Sequence, residues 1–213
     1  MKVFFTFVIM CFSFFLKGQD TFSTDSSLYN DPKSARHSGV GAIDVCFINF
    51  PMMKHNYNGI NLDVKGGSGK WLVGFTFGYV EGDVTKDLSY YYSKPVLNHY
   101  EFGVVGMYKL VRTQSAMISG SLSMGVLVNT FGDDATRDEQ TNELLDKVTV
   151  TTFYTAPGLD FSFRLFPSVS TPQIFFTSKI RYLLPAGYPK YGAPSDFTGY
   201  YLGVGITIIG VEI

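Results

Sequence analysis

Large and small residues alternate along most of this chain. From Trp71 one parity reads Trp71, Val73, Phe75, Phe77, Tyr79, and the other reads Leu72, Gly74, Thr76, Gly78, Val80. A helix would scatter the large residues around its axis, whereas a strand gathers them on one side. The same split recurs down the chain. Ile43, Val45 and Phe47 oppose Ala42, Asp44 and Cys46, and Ile60, Leu62 and Val64 oppose Asp63 and Lys65. Tyr100, Phe102, Val104 and Tyr108 oppose His99, Glu101 and Lys109. The alternation predicts strands near 39–49, 57–65, 70–80, 98–110, 115–129, 150–166, 172–184 and 198–211.

Several of these strands reach ten residues or more, beyond the five or six common in soluble proteins and close to the ~9–11 that cross a bilayer. The connections at 50–56, 66–69, 81–97, 111–114, 130–149, 167–171 and 185–197 alternate long and short. In an antiparallel up-and-down barrel all long loops then fall at one end and all tight turns at the other. Outer-membrane barrels have that asymmetry, with short periplasmic turns and longer extracellular loops. The expectation is an all-β, eight-stranded antiparallel up-and-down transmembrane β-barrel with both termini periplasmic.

Charge placement separates a membrane barrel from a soluble one. By parity the small-residue face carries Asp44, Asp63, Lys65, Glu101, Lys109, Asp160, Arg164, Lys179 and Arg181, while the bulky face has almost no charge. An eight-stranded interior is just wide enough to be filled by side chains. Gly, Ser, Thr and a few paired long charges suit it, so the bulky face is assigned to lipid and the nine charges to an interior salt-bridge network. Unpaired charges there would be costly. On the bulky face Trp71 and Tyr79 lie eight residues apart, as do Tyr100 and Tyr108. At ~3.3 Å per residue and ~40° tilt that climbs about 20 Å, near the spacing of the aromatic girdles around an apolar band of ~25 Å. Tyr182 and Tyr200 complete the expected girdle.

Composition agrees. Charged residues make up 16% and aromatics 16% of the chain, against a usual ~25% charged. Residues 3–16, VFFTFVIMCFSFFL, form an apolar run after a basic start and before Lys17-Gly18-Gln19. That is the layout of a signal peptide, too short for the ~30 Å hydrocarbon core. The expected organisation is signal peptide 1–18, periplasmic lead-in 19–38 and barrel 39–213. Cys11 sits inside the apolar run, which does not suit lipidation. Loss of Lys2 and Lys17 changes the net charge from −1 to −3, so nothing points to nucleic acid. Only Cys46 then remains, which leaves no internal disulfide framework.

Short motifs add little. Gly66-Gly67-Ser68-Gly69-Lys70 resembles a phosphate loop, but Val64 stands where the first glycine belongs, Trp71 follows the lysine, and a strand comes next. It reads as a hairpin turn. His99 and Glu101 share a face, with Ser89 and Ser93 in the preceding loop, the best available triad and one without a recognisable motif. Loop 130–149 is acidic, with Asp133, Asp134, Asp138, Glu139, Glu143 and Asp146, yet lacks calcium-loop spacing. No catalytic, cofactor or metal site is assigned.

In strand count, loop alternation and face chemistry the chain resembles the small eight-stranded outer-membrane barrels of Gram-negative bacteria, the group that includes the OmpA transmembrane domain and OmpX. The resemblance spans residues 39–213 and departs from the group at the C-terminus, which reads IIGVEI rather than ending on an aromatic and where the alternation slips phase at Ile208-Ile209. It implies an outer-membrane location with lipid as the surrounding partner. The expected role is non-enzymatic: an accessory or structural subunit of an outer-membrane assembly, or alternatively a stand-alone surface binding or adhesion barrel. Some barrels of this architecture modify lipid A, and that is the enzymatic alternative.

Overall fold

A computed structural model of the chain describes residues 39–53, 55–84, 96–113, 115–132, 148–166, 172–186 and 194–210. The proposed signal peptide, the lead-in, Ser89, Ser93, the acidic stretch 133–147 and the final residues 211–213 lie outside the described residues.

The strands are β1 (Val40–Met52), β2 (His55–Ser68), β3 (Trp71–Asp83), β4 (Val96–Arg112), β5 (Ala116–Phe131), β6 (Val148–Arg164), β7 (Gln173–Ala186) and β8 (Gly199–Ile209). Each pairs antiparallel with its neighbours in sequence, and β8 returns to β1, closing the barrel. Closure removes both sheet edges, so no row of backbone donors is left to other chains. Inward and outward positions alternate along the strands, with one break at a bulge in β4, where Leu110 and Val111 both face outward. In β1, Asp44, Cys46 and Ile48 are buried while Val45 and Phe47 are exposed.

Three details differ from the sequence reading. The first connection is not a loop of 50–56: the β1–β2 ladder runs on to Met52↔His55, so the alternation of long and short connections fails there. Pro51 lies within the extended β1. It tolerates the strand because the β1–β8 ladder ends at Asn49↔Leu202, so its missing N–H costs no bond on that side. Phe50, Met52 and Tyr57, assigned to that loop or its edge, turn inward and are buried. Second, the glycine cluster is mostly strand. Gly66 pairs with Val73 and Gly67 with Leu72, and of the cluster only Gly69, in the turn, takes positive φ, at 58°. Gly67 is needed for close approach instead, since a Cβ there would come within 2.3 Å of the Trp71 carbonyl oxygen. Third, β8 keeps its alternation to its last residue: Thr207 and Ile209 are inward and Ile208 between them is outward.

The interior is layered. At the loop end an apolar cluster gathers Ile48, Phe50, Met52, Tyr57, Leu97, Phe131, Tyr154 and Tyr201. A smaller one at the turn end holds Ala42, Leu72, Met107, Met117, Phe175 and Ile209. Polar and charged side chains fill the middle. These apolar layers were not anticipated, because parity alone does not tell a large inward residue from a lining of small ones.

Candidate functional site

The middle layer centres on Asp63. Its Oδ2 accepts from Arg181 Nη2 at 2.5 Å and Lys179 Nζ at 2.6 Å, with Lys65 Nζ at 3.7 Å. Asp44 Oδ2 accepts from Lys179 at 3.0 Å and also from Lys65. Thr76 Oγ1 donates to Asp63 Oδ1 at 2.6 Å, Asn61 donates to Thr76 at 3.1 Å, and Arg181 Nη1 donates to the Tyr201 hydroxyl at 3.1 Å. Asp44 and Asp63 face each other across the β1–β2 ladder. Two like charges side by side are tolerable only because three cations surround them.

Two of those cations come from β7 and must pass in front of β8. The inward positions of β8 at that level are Gly203, opposite Lys179, and Gly205, opposite Thr177. A Cβ on Gly203 would meet Ile48 Cγ2 at 3.2 Å and the Cβ atoms of Cys46 and Lys179 at 3.6 Å. The missing side chains clear a path over which Lys179 and Arg181 reach Asp44 and Asp63.

Of the other inward charges, Asp160 adjoins this cluster, opposite Lys179 in the β6–β7 ladder, and the rest stand further off. Asp160 is buried and accepts from Ser121 Oγ at 3.2 Å. Lys109 sits at the turn end and donates to the Gly69 carbonyl at 3.1 Å. Arg164 is only half-buried at the end of β6. Glu101 belongs to a second group: its Oε1 lies 3.2 Å from His99 Nε2, and His99 Nδ1 lies 2.6 Å from Asn129 Oδ1. Phe50 packs on the imidazole with ring centres 5.8 Å apart. Both ring nitrogens are engaged, and the pair lies beneath the apolar cluster at the loop end. The candidate nucleophiles Ser89 and Ser93 lie outside the described residues, so the structure brings no serine to this pair.

The outer face is apolar over most of its height. Phe75 is 68% exposed, Phe153 69% and Val73 60%. A wall of this kind is stable in hydrocarbon rather than in water. The six aromatics assigned to the girdle face outward as three cross-strand pairs. Ring centres are 4.7 Å apart for Trp71–Tyr108, 5.0 Å for Tyr79–Tyr100 and 4.5 Å for Tyr182–Tyr200. The Tyr79 hydroxyl donates to Glu81 at 2.5 Å and meets Asn98 at 3.0 Å, so the wall turns polar just beyond that pair. At the opposite end Lys70 Nζ lies over the Tyr108 ring, 5.9 Å from its centre. Amphipathic rings with polar tips at these two levels suit the two faces of a bilayer.

Among the described residues no group of three or more His, Cys, Asp or Glu could hold a metal ion. Cys46 is a buried free thiol.

No family model matches the chain, and no curated protein matches it in sequence. Solved structures do. Neisserial surface protein A superposes with a TM-score of 0.52 at 7% identity, over 81% of this chain and 96% of that one. The outer-membrane protein OprG from Pseudomonas aeruginosa superposes with a TM-score of 0.53 at 14% identity, over 82% of this chain and 98% of that one. At these identities the likeness is one of fold. Closed eight-strand topology, outward apolar wall and filled interior together give this chain the architecture of the small eight-stranded outer-membrane β-barrels.

Proposed function

We propose that the chain is a non-catalytic integral barrel of a Gram-negative outer membrane, acting as an accessory or structural subunit of an outer-membrane assembly. The observation that supports this reading most is the solid interior. Among the described residues two apolar layers and the ionic layer between them fill the bore, which argues against a channel for solutes. Whatever the protein does is then done by its outer wall and its loops. In this orientation the connections 84–95, 132–147 and 187–198 are extracellular, and the turns 69–70, 113–115 and 165–172 are periplasmic.

A second reading, a stand-alone surface barrel that binds or adheres through its loops, is favoured by the wall beyond the aromatic pairs. Asn56, Asn58, Glu81, Thr149 and Thr151 are exposed there, carrying the barrel past the apolar belt as a polar collar. Neisserial surface protein A, of similar fold, is a surface protein by name.

The discriminating experiment is extraction of tagged protein from native membranes in mild detergent, followed by native gel and mass spectrometry. A stoichiometric partner identifies a subunit. A clean monomer refutes that role and assigns the function to the loops.

A further inference from the structure

Between the ionic layer and the turn-end apolar cluster lies a cavity of about 10 Å³, lined on its polar side by Asp44, Lys65, Asp160, Ser162, Thr177 and Thr207. That volume matches a single water molecule and excludes a sugar, a lipid headgroup or a peptide. Two carboxylate oxygens on its wall have no protein partner: Asp44 Oδ1, whose Oδ2 holds Lys65 and Lys179, and Asp160 Oδ2, whose Oδ1 holds Ser121. Both residues are 1% exposed. A buried charged oxygen without a donor is costly.

The hydroxyls on the same wall supply the opposite need. Ser162 and Thr177 lie 2.9 Å apart, and Thr177 and Thr207 lie 2.5 Å apart. Three hydroxyls in a chain share two hydrogen bonds, so one proton remains to be donated outside the chain. The wall therefore lacks two donors and has one donor to spare.

We propose that this cavity is a hydration site holding one water molecule, which donates to Asp44 Oδ1 and Asp160 Oδ2 and accepts from the Ser162–Thr177–Thr207 chain. Three hydrogen bonds is the usual complement of a buried water. Charge favours a neutral occupant over a metal ion. In this part of the bore Asp44, Asp63 and Asp160 face Lys65, Lys179 and Arg181, three against three. A cation would leave the low-dielectric interior with a net charge. The water ties Asp160, which makes no ion pair among the described residues although Lys179 stands opposite it in the β6–β7 ladder, to Asp44 and the cluster around Asp63. The inference rests on the barrel interior and stands whichever role the outer surface has.

The test is a structure of the wild-type protein from crystals grown in a lipid phase, at a resolution that shows ordered solvent, with a parallel set soaked in a thallium(I) salt. The expected result is a peak within hydrogen-bond distance of both carboxylates that carries no anomalous signal after the soak. A site without density overturns the proposal, and a thallium peak overturns it in favour of a cation site. In Asp160→Leu the peak is lost, and a peak of undiminished strength there overturns the assignment of Asp160 Oδ2.

Discussion

Phe75→Arg puts the outer wall to a direct test. Phe75 is 68% exposed and lies four residues from Trp71 and four from Tyr79, midway between two aromatic levels. At ~3.3 Å per residue and ~40° tilt it stands about 10 Å from each. Arginine at the midplane of a membrane barrel costs about 2–4 kcal/mol. A fully buried phenylalanine is worth about 1.5–3 kcal/mol, so losing its lipid-facing two-thirds adds about 1–2 kcal/mol. The expected penalty is about 3–6 kcal/mol. In water the penalty would vanish, because an exposed Phe replaced by Arg costs a soluble barrel little. Asn56→Arg is the control: Asn56 is exposed in the polar collar, where arginine costs at most about 1 kcal/mol. Reversible denaturant unfolding from phospholipid vesicles reads both, with Trp71, the chain's single tryptophan, as the fluorescent reporter. Equal stability of the two variants, or a penalty below about 1 kcal/mol for Phe75→Arg, refutes the assignment of this face to lipid.

Three further outcomes come from the interior. Asp63→Ala removes the carboxylate shared by Lys179 and Arg181, and leaving those charges uncompensated costs about 3–5 kcal/mol in the same unfolding assay; a loss under 1 kcal/mol would mean that the cations find other partners. Gly203→Val fills the space between Ile48 and Lys179 and lowers stability by about 1–3 kcal/mol as an overpacked core does, whereas Gly120→Val, at an outward position with only a Leu110 contact at 3.9 Å, leaves stability within about 0.5 kcal/mol. The Cys46 thiol, fully buried, stays unlabelled by a water-soluble thiol reagent in folded protein and reacts once the barrel is unfolded; rapid labelling of the folded form would show a bore open to solvent at that depth.

The sequence by itself determined the number of strands, their approximate places and the face on which each residue lies. Period-two alternation is a local property, set by the pleat of a single strand, and an apolar outer wall leaves it uninterrupted over ten residues. That Trp71 and Tyr79 share a face, and that Asp44 and Asp63 share the other, follows from counting. It did not settle where strands end when loop-like residues continue the alternation. Pro51 and Asn56 read as a connection, yet they pair in the ladder, because the β1–β8 ladder has already stopped and because Phe50, Met52 and Tyr57 gain burial by extending it.

Only the tertiary structure decided which charges meet. Asp44 and Lys179 are far apart in sequence, and parity sends nine charged residues inward without pairing them. Closure between β1 and β8 brings β7 opposite β2, and glycines at 203 and 205 leave the gap through which Lys179 and Arg181 cross. The same closure stacks apolar layers above and below the ionic one. Those distances are properties of the closed ring, and no single strand carries them.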